Sequence, residues 1–111
     1  YFVPATKVRQ LISDEFKNLF RTADFMICPI TPALAYKRGL SETDPVRMYL
    51  GDVFTTIANL AGLPSISLNL GFTTEGLPTN VQLLAPRFGD AELLACASVI
   101  EKAAGSPEAV E

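Results

Sequence analysis

Residues 44–64 of the chain are bracketed by signals that favour a single α-helix. Asp44 is a suitable N-cap and Pro45 suits the first helical position, whereas Gly62 followed by Pro64 ends a helix. A helix of roughly four to five turns is therefore predicted between them. Apolar residues recur through it at spacings of three and four, and this pattern predicts a helix that is mostly buried.

An acidic residue, Asp52, lies inside this apolar helix. Asp52, Thr56 and Asn59 are spaced i, i+4 and i+7, so they share one face and form a narrow polar strip. Tyr49 precedes them by one turn and either reaches this strip with its hydroxyl or packs in the core. A polar strip of this kind is typical of a helix that lines a pocket. The residues leave open that Asp52 is a buried, internally paired carboxylate and that the other two bond a neighbouring turn.

Helices and strands alternate along the rest of the chain. The pattern predicts an amphipathic helix over residues 5–22, a buried strand at 25–28, an antiparallel pair of strands at 65–70 and 80–85, and a last helix over 89–104 that Gly105 ends.

The predicted elements form one α/β layer in a single domain. We expect residues 31–43 to be an exposed connection and residues 106–111 to be a polar, disordered tail, so that the domain covers residues 1–105. Three strands would leave open sheet edges, which are unusual unless further strands or protective residues cover them. The layer therefore looks incomplete.

Three motifs in sequence order carry a resemblance to a known family. DPxxMYxxD, then NLAGLP, then GLPxxVQLLAPRF resemble the C-terminal portion of the amidase signature enzymes. The resemblance implies the α/β fold of that family, a mixed β-sheet covered by helices on both faces. DPxxMYxxD is most similar to the glutaminase subunits (A subunits) of glutamyl-tRNA(Gln) amidotransferases, which supply ammonia for converting Glu-tRNA(Gln) to Gln-tRNA(Gln).

The resemblance also implies roles for individual residues. In the amidotransferase subunits the Asp that matches Asp52 binds the α-ammonium of glutamine, and we expect Tyr49, Thr56 and Asn59 to line the same pocket. The arginine that binds the substrate carboxylate lies upstream of the matched region in the family. None of the arginines of this chain is therefore expected to take that role, neither Arg9 and Arg21 nor Arg38, Arg47 and Arg87. Arg9 and Arg21 belong to the charged side of the first predicted helix and are expected to be surface residues. Gln82, on the polar face of its strand, is expected to hold a loop by hydrogen bonds.

Amidase signature enzymes use a Ser, a second Ser in a cis peptide, and a Lys, with both serines in a Gly/Ser-rich segment. These residues contain no such segment. We therefore expect no catalytic residue in this chain, which would be a C-terminal fragment of a longer enzyme or one piece of a split one, and inactive alone. The resemblance assigns ATP and Mg²⁺ to a partner subunit, so no cofactor or metal is expected here.

Composition excludes several classes of function. The chain has no His, which removes Ser-His-Asp catalysis and His-ligated zinc from these residues. A net charge of −3 argues against a self-sufficient nucleic-acid binder, so tRNA would be contacted mainly through a partner subunit. Cys28 and Cys96 are expected to be buried free thiols in a reducing cytoplasm. We expect neither a membrane span nor a signal peptide.

Two other functions remain open from the sequence. One is an amidase signature hydrolase that acts on small amides and needs no carboxylate for an amino-acid ammonium. The other is a stand-alone, non-catalytic binding module, for which a start codon directly ahead of Tyr1 would be the distinguishing observation.

Overall fold

A computed structural model describes residues 1–36 and 45–105, with Arg47 through its backbone alone. Asp44, most of the predicted connection and the predicted tail lie outside these residues. Except in the central helix, the predicted elements are present with ends within three residues of the expected positions. The described elements are α1 (Phe2–Leu19), β1 (Met26–Pro29), α2 (Pro45–Gly51), α3 (Val53–Ala61), β2 (Ser65–Phe72), β3 (Pro78–Leu84) and α4 (Asp90–Ala104).

The three strands form one sheet in the order β1-β3-β2, with β3 in the middle. Both neighbours run antiparallel to β3, so the predicted antiparallel pairing of β2 with β3 is confirmed. A turn fixes the register of this pair, because the Thr73 N–H donates to the Leu77 carbonyl at 2.8 Å and the Thr73 hydroxyl accepts from the Leu77 N–H at 3.1 Å. Leu70 has no partner in the register and forms a β-bulge.

The core lies between one face of the sheet and α4. Strand alternation places Leu68 of β2 and Leu83 of β3 on this face, where they are buried. Helix α4 contributes Leu93 and Ala97, one turn apart, and partly buried side chains surround the cluster. This packing joins the last helix to the two longest strands.

The central helix differs from its prediction in two ways. It is broken at Asp52 into α2 and α3, and it is not mostly buried, since Ala58 and Ala61 are its buried residues among those described. Large apolar side chains on both segments remain exposed, including Tyr49 at 79% and Leu50 at 52%. The apolar pattern predicts that these side chains are buried, and this prediction is wrong for the described part of the chain, in which nothing covers them.

The described part of the chain is open and flat. Its radius of gyration is 16.3 Å, whereas a compact domain of this length has about 13 Å. Within the described residues both outer strands present unpaired edges, and Ile27 on β1 is 58% exposed. No helix of residues 1–36 and 45–105 has the length and apolarity needed to cross a membrane.

We expect the isolated chain to self-associate at high concentration. Unpaired strand edges beside exposed apolar side chains are a template for pairing with a second copy. Sedimentation velocity over a range of protein concentrations should therefore show a shift from monomer to larger species. A strict monomer at the highest concentration, with one sharp unfolding transition, would contradict this expectation.

Candidate functional site

The break in the central helix lies at the candidate substrate-binding residue itself. Asp52 has φ −97° and ψ 2°, and its N–H donates to the Tyr49 carbonyl, three residues back, at 3.3 Å. Its own carbonyl accepts from the Thr56 N–H at 2.9 Å, the first bond of the next helix. Gly51 weakens a helix interior and Asp favours the N-cap position, which accounts for the break. Asp52 is thus the N-cap of α3 and not an interior residue.

The Asp52 carboxylate is exposed and makes no capping hydrogen bond to α3. An N-cap Asp usually accepts such a bond from the second or third helical N–H. No backbone N–H of α3 therefore occupies the Asp52 carboxylate. Asp52 is exposed among the described residues, so the sequence alternative of a buried, internally paired carboxylate is not realised within this part of the chain.

The other candidate residues lie on the same exposed side of the helix. Thr56 and Asn59 are exposed, whereas Phe54, Ala58 and Ala61 form the opposite stripe, which is partly or fully buried. Tyr49, at the end of α2, is 79% exposed. The structure thus brings the predicted polar strip together on one surface, with its role in binding still a prediction.

Local hydrogen bonds occupy part of this strip. The Asn59 side-chain amide donates to the Thr55 carbonyl at 3.3 Å, one turn earlier. The Thr55 hydroxyl donates to the Asp52 carbonyl, also at 3.3 Å. Asn59 therefore shows the bonding to a neighbouring turn that the sequence left open as its alternative role.

The C-terminal end of α3 is capped by backbone and by a distant side chain. The Gly62 N–H donates to the Asn59 carbonyl at 3.3 Å and the Leu63 N–H donates to the Ala58 carbonyl at 3.0 Å, the two bonds of a Schellman motif. The next carbonyl, that of Leu60, accepts from the Arg9 Nε of α1 at 2.9 Å. Arg9 is exposed, as expected, but it is not merely a surface residue.

A second arginine lies against the same helix end. Gly62 has φ +68°, which disfavours any side chain, and a β-carbon there would come within 2.9 Å of Arg87 Nη2. Arg87 also lies over the exposed ring of Phe88, with its guanidinium carbon 5.9 Å from the ring centroid. No local sequence pattern signals the role of either arginine, because both contacts with α3 join residues far apart in the chain.

Gln82 is buried on the sheet face opposite α4. It is 3% exposed, and its side-chain amide donates to Cys28 Sγ on the neighbouring strand at 3.7 Å. Among the described residues this side-chain hydrogen bond is therefore with a strand and not with the predicted loop. Burial raises the pKa of the Cys28 thiol. Cys28 and Cys96 are free and only half-buried, so the expected free thiols are confirmed and their full burial is not.

A cleft of about 420 Å³ lies away from Asp52, between the end of α1 and the β3–α4 loop. Its charged lining residues are Asp24, Arg87 and Glu92. The exposed strip at Asp52 is not among the residues that line it. Asp52, Thr56 and Asn59 are exposed, so only polypeptide outside the described residues could close a pocket over them.

Comparisons with known proteins place the chain in a family. The family model named Amidase matches residues 1–94. The A subunit of the glutamyl-tRNA(Gln) amidotransferase of Desulfosudis oleivorans is 45% identical over 103 residues, which cover 93% of this chain and 21% of that protein. The corresponding protein of Psychrobacter sp. is 46% identical over 102 residues, covering 92% of this chain and 20% of that protein.

The described fold is also similar to solved structures of other proteins. The crystal structure of the glutamyl-tRNA(Gln) amidotransferase A subunit from Thermotoga maritima matches with a TM-score of 0.85 and 44% identity, over 92% of this chain and 22% of that chain. Allophanate hydrolase of Kluyveromyces lactis matches with a TM-score of 0.77 and 28% identity, over 88% of this chain and 16% of that chain. The chain spans about a fifth of the length of the two curated relatives. The predicted α/β fold of the amidase signature enzymes is confirmed, and the chain belongs to the Amidase family.

Proposed function

We propose that this chain is part of the glutaminase subunit of a tRNA-dependent amidotransferase. The observation that carries the proposal is 45% identity over 93% of the chain to a protein named as the A subunit of a glutamyl-tRNA(Gln) amidotransferase. The whole enzyme would hydrolyse glutamine to glutamate and pass the ammonia on for converting Glu-tRNA(Gln) to Gln-tRNA(Gln). Other subunits, one of them using ATP and Mg²⁺, would activate and bind the tRNA in the cytoplasm.

Within that enzyme, Asp52 would bind the α-ammonium of glutamine. Support comes from its exposed carboxylate, which no capping bond engages, and from the exposed apolar side chains of Leu50 and Val53 on either side. Once polypeptide covers them, apolar neighbours lower the local dielectric. Opposite charges about 4 Å apart at an effective dielectric near 20 attract by roughly 4 kcal/mol before desolvation costs. Tyr49, Thr56 and Asn59 would line the same pocket.

The chemistry itself would fall to residues upstream of the matched region. A serine hydroxyl attacks the side-chain amide carbon of glutamine, and backbone N–H groups stabilise the oxyanion. The C–N bond then breaks, ammonia leaves with a proton relayed through the second serine and the lysine, and water hydrolyses the acyl-enzyme to glutamate. This chain would bind the α-ammonium end of glutamine, and that contact would fix the position of the side-chain amide.

A second candidate function is hydrolysis of small amides without tRNA. The TM-score of 0.77 to an allophanate hydrolase favours it, because that protein shares the fold at 28% identity. Such an enzyme needs no carboxylate for an α-ammonium. The two functions therefore differ in whether removal of the α-amino group from the substrate slows hydrolysis of the amide.

The proposed function is tested with the full-length protein that contains this chain. Ammonia release should be much faster from glutamine than from glutaramate, which is glutamine without its α-amino group. Addition of the partner subunits, ATP, Mg²⁺ and Glu-tRNA(Gln) should yield Gln-tRNA(Gln). The isolated chain should release no ammonia from either compound. Equal rates on the two amides, or inhibitor-sensitive hydrolysis by the isolated chain, would contradict the proposal.

A further inference from the structure

Helix α3 carries Asp52 at one end and is only loosely continuous with α2 at that end. The Asp52 N–H reaches the Tyr49 carbonyl at 3.3 Å, three residues back, and Asp52 itself is not helical. The regular ladder of backbone bonds, which makes a helix rigid, is interrupted there. The direction in which α3 points is therefore set mainly by contacts farther along it.

Those contacts concentrate at its C-terminal end. Ala58 and Ala61 are its buried residues, and the Schellman motif satisfies the carbonyls of Ala58 and Asn59. The following carbonyl belongs to Leu60, and the backbone motif does not reach it. Arg9 of α1 supplies the donor for it at 2.9 Å.

The Arg9 contact is suited to hold a helix end. A cation at a helix C-terminus is favoured by the partial negative charge of the last carbonyls. The bond joins residues 51 positions apart, so it fixes α3 against another helix and not within itself. Arg87 adds a second cation at this end, where its guanidinium lies against Gly62.

We propose that Arg9 is a positioning residue for Asp52, acting through α3; this inference rests on the proposed function. Leu60 follows Asp52 by eight residues, which is about 12 Å along a helix axis. A tilt of about 5° at the anchored end moves the other end by about 1 Å, and displacements of that size weaken binding and catalysis strongly. Arg9 touches neither substrate nor reacting atoms in this arrangement, but sets where the carboxylate lies.

The test uses the full-length enzyme with Arg9→Met and Arg9→Lys. Methionine keeps the apolar stem and removes the donor, so kcat/KM for glutamine should fall about 3- to 10-fold, mainly through KM. For glutaramate, which has no ammonium for Asp52, kcat/KM should stay unchanged within error. Lysine can still donate to the Leu60 carbonyl and should restore most of the loss.

Arg21→Met is the matched control, since it removes the same charge from an exposed position just beyond α1. It should leave both substrates unaffected. An equal loss on both substrates in Arg9→Met would show that Arg9 supports the fold, and no loss on either would show that its bond is dispensable. Both outcomes would overturn the positioning role.

A double-mutant cycle with Asp52→Asn separates this inference from the proposed function. With the carboxylate gone, Arg9→Met should lower kcat/KM for glutamine no further, because a positioning residue has nothing left to position. Additive losses would overturn the inference. A wild-type enzyme that treats glutamine and glutaramate alike would instead contradict the proposed function, together with everything that rests on it.

Discussion

Asp52→Asn in the full-length enzyme should lower kcat/KM for glutamine by about 30-fold to several thousand-fold. The substitution keeps the shape of the side chain and removes its charge. Loss of one partner of a desolvated charge pair costs on the order of 2 to 5 kcal/mol, which gives this range. The lost interaction belongs to the α-ammonium, which is remote from the reacting amide.

The division of the loss between KM and kcat reports what the contact does. If the ion pair is equally strong in the ground state and the transition state, KM should rise with kcat little changed. If the pair also orients the amide towards the nucleophile, kcat should fall as well. Steady-state kinetics with glutamine and with glutaramate distinguish these cases, because glutaramate hydrolysis should be nearly indifferent to the substitution.

Asp90→Asn is the matched control for this experiment. Asp90 is also an exposed carboxylate at the start of a helix, α4, and it takes the same isosteric change. It should leave the ratio of kcat/KM for the two amides unchanged. An equal loss on both amides in Asp52→Asn would mean that Asp52 supports the fold or the catalytic geometry. The assignment of the chain to a glutaminase would then lose its main residue-level support.

Local sequence patterns predicted most of the fold because they report contacts between near neighbours. Alternation of apolar residues placed Leu68 and Leu83 on the buried face, and periodicity placed Leu93 and Ala97 against them. The break at Asp52 was missed because Gly51 and Asp52 fit two patterns. An Asp that follows a Gly can be a polar residue inside one helix or the N-cap of a second helix. The apolar spacing on both sides of Asp52 favours one continuous helix.

Burial and long-range contacts were less predictable from the sequence. Apolar spacing indicates which side chains suit a core, but not whether the covering surface lies in the same stretch of chain, as Leu50 and Ile57 show. Arg9 was predicted to be a surface residue since charged residues on an amphipathic helix usually face solvent. Its bond to Leu60 depends on the packing of α1 against α3, which no local pattern encodes.

Leu83→Ala should destabilise the chain by about 2 to 5 kcal/mol, the usual cost of emptying a filled core site. Leu83 is 1% exposed and lies on the central strand, where it belongs to the cluster shared with α4. Its register partners are Ile27 on β1 and Ile66 on β2, so the cavity would open at the middle of the sheet. Ordinary domains are stable by about 5 to 15 kcal/mol, so this single change would remove a large fraction of the total.

The measurement is a urea titration followed by circular dichroism, at a protein concentration where sedimentation shows one species. Leu94→Ala is the matched control, because it makes the same change on α4 at a side chain that is 60% exposed. It should alter the free energy of unfolding by no more than about 0.5 kcal/mol. Equal costs for the two variants would show that α4 does not pack on this face of the sheet. A large loss of unfolding free energy in Leu83→Ala, with little loss in Leu94→Ala, would show that the contacts between α4, β2 and β3 stabilise the chain.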